Sequence, residues 1–172
     1  MHKKKPRGTL KIADNIKERK YAWKKIVQKI IVGGVLINND KALIIQRNDD
    51  EDVFSGMWEL PSGKREPLET TKEALKREFL EEVGLRVKVL VPISVFDYQI
   101  NKTDEIRDST QINFIVETMD ANTEIKISKE HKDFKWINMS QIEKYNIYDS
   151  TAKAILKAFA IYSLIRNKKQ GG

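Results

Sequence analysis

Apolar residues follow two rhythms along this chain. From Ile30 a β-branched run (Ile30, Ile31, Val32, then Val35, Leu36, Ile37) ends in Asn38-Asn39-Asp40, a turn composition, and Ala42 to Gln46 forms a second run. Together they predict a hairpin. The acidic stretch Asn48 to Asp52 reads as a solvated loop leading to a short strand that ends before Pro61. Between Glu69 and Val83 the rhythm becomes helical, with Ala74, Leu75, Phe79 and Val83 on one side; the helix is expected to begin near Thr70 or Thr71 and to stop at Gly84. Strands are expected at Val87 to Tyr98 and Gln111 to Glu117, with a polar loop from Asn101 to Asp108 between them, and again at Phe134 to Ile137. A short helix around Ser140 to Lys144 and a long one from Ser150 to Ile165, striped by Ala154, Ile155, Ala158, Ile161 and Leu164, close the chain. No internal repeat is visible.

At 172 residues the chain fits one domain with a sizeable core. Its net charge of +7 is unevenly placed. Residues 1–25 hold ten Lys or Arg against Asp14 and Glu18, whereas the rest is close to neutral. The expected organisation is a basic arm over 1–25, a domain over 26–168 and a tail over 169–172. Such an arm is usually solvated, although nonspecific attraction to nucleic acid or an anionic surface is the functional alternative. The absence of cysteine excludes disulfides, thiolate metal sites and cysteine nucleophiles. No apolar run approaches the roughly 20 residues that cross a bilayer, and no signal peptide is recognisable. The expectation is a cytoplasmic protein without membrane association.

Chemistry concentrates in one segment. From Gly63 the chain reads Gly, five residues, Glu69, seven residues, Arg77-Glu78-Phe79, one residue, Glu81-Glu82, one residue, Gly84-Leu85. Seven fixed residue types at average usage meet at one start point by chance less than about once in a million. On a helix, Glu78, Glu81 and Glu82 share one face. Carboxylates so close repel one another unless a cation sits among them, and hard oxygen ligands suit Mg²⁺ or Mn²⁺. Taken alone, Glu-x-x-Glu-Glu is more often an ordinary charged helix surface; the glycines and Arg77 at fixed distances tip the balance to function.

This segment resembles the signature of the Nudix hydrolases, and the likeness extends over roughly residues 28–165, nearest to the MutT-like nucleoside triphosphate pyrophosphohydrolases. It implies an α/β fold, the Nudix α/β/α sandwich with a mixed β-sheet. By resemblance Glu78, Glu81 and Glu82 bind metal, with Glu130 (in Lys129-Glu130-His131, before Phe134-Lys135-Trp136) as a further ligand or general base and the Ser62 backbone carbonyl as another ligand. Arg77 is expected to pair with Glu69, which is the other candidate for proton transfer. Arg47, Trp58 and Ser150 are candidate substrate contacts, each with a plainer reading as salt bridge, core ring and helix cap. His131 reads as a loop residue. Two departures stand out, Ser62 and Leu68, which occupy positions where glycine is common; Phe79, where an aliphatic is more usual, reads as tolerated packing.

The resemblance implies Mg²⁺-dependent hydrolysis of a nucleoside diphosphate linked to another moiety, foremost a nucleoside triphosphate, including oxidised purines such as 8-oxo-dGTP, cut to monophosphate and pyrophosphate. The alternatives are an ADP-ribose or nucleotide-sugar pyrophosphatase, an RNA 5′-end hydrolase using the arm, and a nucleotide-sensing module without turnover. ADP-ribose hydrolases often carry a proline about fifteen residues after the box; none stands near Ile100. The family also admits a homodimer.

Overall fold

In the computed structural model, residues 24–121 and 124–170 are described, with side chains through residue 164. The predicted arm lies outside the described residues except for Lys24 and Lys25. The elements are β1 (Lys25–Asn38), β2 (Lys41–Arg47), β3 (Trp58–Glu59), β4 (Ser62–Lys64), α1 (Thr71–Val83), β5 (Val87–Asn101), β6 (Glu105–Thr118), β7 (His131–Ile137), a 3₁₀ turn (Met139–Lys144) and α2 (Asp149–Gln170).

The strands run in the order β3-β2-β1-β6-β5, with β4 also paired to β1 and β7 to β2. Among the described strand pairs β1 and β6 run parallel and the others antiparallel, so the sheet is mixed as expected. Alternation along the strands sorts the core into two layers. Val32, Leu36, Leu43, Ile45 and Val116 pack with Leu75, Phe79 and Val83 of α1. Val35, Ile37, Ile44, Ile115 and Ile137 pack with Ala154, Ile155 and Ala158 of α2. A helix therefore covers each face, which makes the sandwich.

Local chemistry explains the boundaries. Asn39 and Asp40 have φ of 49° and 56°, the two left-handed residues of a tight hairpin turn between β1 and β2. Thr70 caps α1 and exchanges hydrogen bonds with Glu73 in a capping box, while Gly84 ends the helix at φ 71°. The ring of Phe79 is accommodated by Gly34: a Cβ there would lie 2.4 Å from the ring. An aromatic on the helix thus needs a glycine on the strand below it.

The expected loop from Asn101 to Asp108 is a correction. β5 runs to Asn101 and β6 starts at Glu105, leaving a three-residue turn. Polar side chains hid the strands because the backbone there is paired on both sides, β6 to β5 and to the early part of β1. β4 was also missed; three residues centred on a glycine carry no periodicity. The acidic loop is not merely solvated, since Glu51 pairs with Arg47, Asp49 with Lys132 and Asp52 with Lys102. The last helix extends through Gln170, beyond the expected tail boundary, and begins one residue before Ser150. Among the described residues, no helix is long and apolar enough to cross a membrane.

Candidate active site

The site is built where the edge of α1 meets β3, β4 and the start of β7. Glu82 is 7% exposed, and its Oε2 accepts the Ser62 backbone N–H at 2.7 Å. Burial pushes its carboxyl pKa well up, helped by the charges of Glu59, Glu78 and Glu130 and opposed by the Ser62 bond. Glu78 is half-buried and raised for the same first reason, with Arg77 opposing. It presses against Gly63, where a Cβ would fall 2.0 Å from its carboxyl carbon. Only glycine at 63 lets that carboxylate lie on the loop.

Arg77 organises the loop before the helix. Its Nε donates to Glu69 at 2.8 Å, Nη2 donates to the Lys64 carbonyl at 2.9 Å, and Nη1 reaches Glu78 at 2.7 Å and Glu81 at 3.2 Å. Hydrogen bonding from Arg77 first, then from the Glu66 backbone, holds the Glu69 carboxyl down at about 2. A carboxylate so weakly basic is a poor proton acceptor and a good strut. Glu81 is the most exposed of the acidic trio, at 58% of its side chain.

Two residues to which the sequence reading gave no role in the site complete the cluster. His131, taken for a loop residue, opens β7 with a fully buried side chain; Nδ1 meets Ser128 Oγ at 3.1 Å, and Nε2 lies 3.3 Å from Glu59 Oε1 and 3.8 Å from Glu82 Oε1. Glu59 Oε1 in turn accepts from Arg47 Nη1 at 2.9 Å. The signal available for Glu59 was its place beside Trp58 and before Pro61; nothing local marked His131. Ser128 also donates its N–H to the Glu82 carbonyl, so the segment before β7 is fastened to the end of α1. Glu130, on that segment, is exposed, and its backbone carbonyl accepts from Asn48.

Arg47 is fully engaged, with Nε on the Val53 carbonyl at 3.0 Å and Nη2 on Glu51 at 2.6 Å in addition to Glu59. Trp58 is a core residue, edge-on to Tyr145 at 5.1 Å, although its rim reaches a neighbouring cavity. That cavity, about 270 Å³, opens beside Glu59 and Ser62 and is walled by Phe54, Tyr98 and Tyr148, with Ser150 in its lining. Phe54 sits at φ 58° and stands edge-on to Tyr148 at 5.0 Å. A pocket with aromatic walls beside buried carboxylates suits a flat ring attached to a phosphorylated group.

The residues fit a hard divalent cation. Glu78 and Glu82 are oxygen donors whose ionisation is opposed by burial and mutual repulsion, a balance that a bound cation reverses. Among the described residues, no three acidic or histidine side chains are gathered tightly enough to enclose an ion as they stand, because Glu78 and Glu81 both lean on Arg77.

Residues 27–159 match the family model of the NUDIX domain. The chain belongs to the Nudix family. It is a Nudix hydrolase, and the expected fold class holds. The nucleoside triphosphatase NudI of Escherichia coli O1:K1 is 31% identical over 138 residues, spanning 74% of this chain and 94% of that protein. The fold is similar to that of a MutT protein from Methanosarcina mazei Go1, with TM-score 0.64 and 21% identity over 81% of this chain and 96% of that one. It is also similar to an ADP-ribose pyrophosphatase from Streptococcus suis 89-1591, with TM-score 0.60 and 18% identity over 78% and 91% of the two chains.

The two departures from the Nudix box behave differently. Ser62 does not adopt a left-handed backbone, so a side chain is tolerated, and its N–H rather than its carbonyl is what meets Glu82. Leu68 does adopt one, at φ 70°, with its side chain wholly in solvent. Here the missing glycine leaves strain.

Proposed function

We propose that this Nudix hydrolase is a Mg²⁺-dependent nucleoside triphosphate pyrophosphohydrolase, with Mn²⁺ as a substitute metal. The observation that carries the reading is the adjacency of the cluster of buried Glu82 and half-buried Glu59 and Glu78 to the aromatic cavity beside Glu59 and Ser62. The name of the Escherichia coli relative supports triphosphates as the substrate class. The cation, when bound, neutralises phosphate charge and makes the attacking water more acidic. Glu78 and Glu82 would hold it, with Glu81 and Glu130 joining from the rim and the Ser62–Gly63 backbone alongside.

Hydrolysis adds water across the bridge between the α and β phosphates. A P–O bond forms to the water oxygen, the bridging P–O bond breaks with its electron pair on the departing phosphate, and the water's proton passes to a carboxylate. Glu130 suits that last task better than Glu69, which is committed to Arg77. Phe54 and Tyr148 would hold the base, with Trp58 and Ser150 deeper in the wall, and Arg47 would keep Glu59 in place.

A panel of nucleoside triphosphates, oxidised purine triphosphates, ADP-ribose and nucleotide sugars, with products identified, tests this. Release of monophosphate and pyrophosphate from a triphosphate in the presence of Mg²⁺ is expected. Exclusive turnover of ADP-ribose or sugars, or none at all, would overturn it.

A further inference from the structure

The mechanism above leaves the distal phosphates of the substrate without a protein partner, because Arg47 is already spent on Glu51, Glu59 and Val53. The sheet offers one nearby. Register puts Ile31, Gln111 and Phe96 in one row across β1, β6 and β5, then Lys29, Ser109 and Tyr98, then Val27, Arg107 and Ile100. Lys64 of β4 stands opposite Ile31 on the other side of β1. One sheet face thus grades from the aromatic rings of the nucleoside cavity to a group of cations.

That group walls a second cavity of about 170 Å³, lined by Lys29, Lys64 and Arg107 together with Glu59, Ser62 and Gly63. Phe54, Tyr98, Glu59 and Ser62 line both cavities, so the two adjoin across a shared wall. Among the described residues the Arg107 side chain has one partner, Glu105 on its Nε at 2.6 Å, and the Lys64 ammonium reaches only the exposed Glu66. The side chain of Lys29, part-buried, has no hydrogen bond or ion pair among the described residues. Burial first, then the charges of Arg107, Lys64 and Lys102, push its ammonium pKa down against the pull of Glu105. Three cations beside one cavity, of which Arg107 and Lys64 each have one carboxylate partner and Lys29 has no ion pair among the described residues, leave positive charge that a polyanion can match.

We propose that Lys29, Arg107 and Lys64 form a polyphosphate subsite that receives the terminal phosphates of the substrate and so makes turnover depend on phosphate number. The proposal deepens the triphosphate reading and rests on it for the orientation of the nucleotide. It does not rest on it for the binding of polyphosphate itself.

The test is calorimetric titration of the full chain, with Mg²⁺ at a fixed saturating concentration, using inorganic tripolyphosphate as probe. Replacing Lys29 and Arg107 together by Ala is expected to weaken binding about tenfold or more, whereas the charge-preserving pair Lys29→Arg with Arg107→Lys binds within about threefold of wild type. Lys88→Ala, on exposed β5 surface, serves as control and leaves binding unchanged. In turnover, the double alanine variant raises KM for triphosphates but not for nucleotide sugars, which lack free terminal phosphates. Unchanged tripolyphosphate binding in the double alanine variant, equal weakening by Lys88→Ala, or no binding to wild type would each overturn the subsite. The triphosphate reading fails separately, when wild type hydrolyses no triphosphate whatever it binds.

Discussion

Replacing Glu82 by Gln should make the enzyme more stable and inactive at once. The carboxylate is buried, accepts one backbone N–H, and faces the charges of Glu59, Glu78 and Glu130; its pKa is raised because ionisation there is unfavourable without a cation. Gln keeps the shape and an oxygen for Ser62 while removing the charge. In metal-free buffer at neutral pH the variant is expected to gain about 1 to 2 kcal/mol. For a chain of this size that raises Tm by roughly 2 to 8 °C. The sign follows from the direction of the shift: a carboxyl raised in the folded state favours folding below its unfolded value of about 4.3, and that contribution is lost as pH climbs through the folded value. The advantage of the variant should therefore vanish near pH 4 and grow towards neutrality. Mg²⁺ reverses the order, since a ligand at 100 times its Kd stabilises wild type by about 2.7 kcal/mol and the variant binds it weakly. Turnover should fall at least about a hundredfold. Thermal unfolding in EDTA and in Mg²⁺, alongside pyrophosphate release, reads all three quantities. A variant less stable than wild type in EDTA at pH 7, or one with undiminished turnover, would refute the argument that Glu82 is a carboxylate whose ionisation is unfavourable until a cation binds.

Four further outcomes are expected. Leu68→Gly should stabilise by about 0.5 to 1 kcal/mol, because left-handed backbone costs a side chain about 1 to 2 kcal/mol and part of that is lost to glycine's freer unfolded state; Leu68→Ala, in the same backbone, should gain little, and urea unfolding compares them. Gly63→Ala should displace Glu78, costing about 1 to 3 kcal/mol and most of the activity, as measured by unfolding and turnover together. His131→Ala, which leaves Glu59 and Glu82 facing each other across a void, should cost about 1 to 3 kcal/mol in urea unfolding and lower kcat. The stabilising effect of Glu69, held down at about 2 by Arg77, is present above its unfolded value near 4.3 and is lost as pH falls towards 2, so the difference in unfolding between wild type and Glu69→Gln should close over that window.

Local chemistry was legible in the sequence because local spacing determines it. The box helix begins at its capping threonine and ends at Gly84 as read, and Arg77 meets Glu69 across seven residues because the turn and first helical turns bring them together. The division of the core into two helix-covered layers follows from alternation along β1 and β2. Reading failed where pairing replaces periodicity. The polar start of β6 is a strand because it is hydrogen-bonded on two sides, to β5 and to β1; the polar end of β5 is one because β6 pairs with it, and β4 exists because β1 offers it an edge.

The same distinction explains which site residues were visible. Glu78, Glu81 and Glu82 lie on one helix, so a single segment announces them. Glu59 and His131 are 72 positions apart and meet only because β2 pairs with both β3 and β7. Arg47, at the end of β2, joins Glu59 through the same pairing, and its three bonds show why a lone arginine in a sequence does not reveal whether it faces substrate or supports a neighbour. The cations proposed for the distal phosphates belong to this second kind. Lys29 is ordinary in β1 and Arg107 ordinary in β6; the parallel register between those strands is what puts them on one wall, with Glu59 of β3 in the same lining. On the proposed subsite, selection by phosphate number would depend on sheet register, while the carboxylates proposed to hold the metal come from the box.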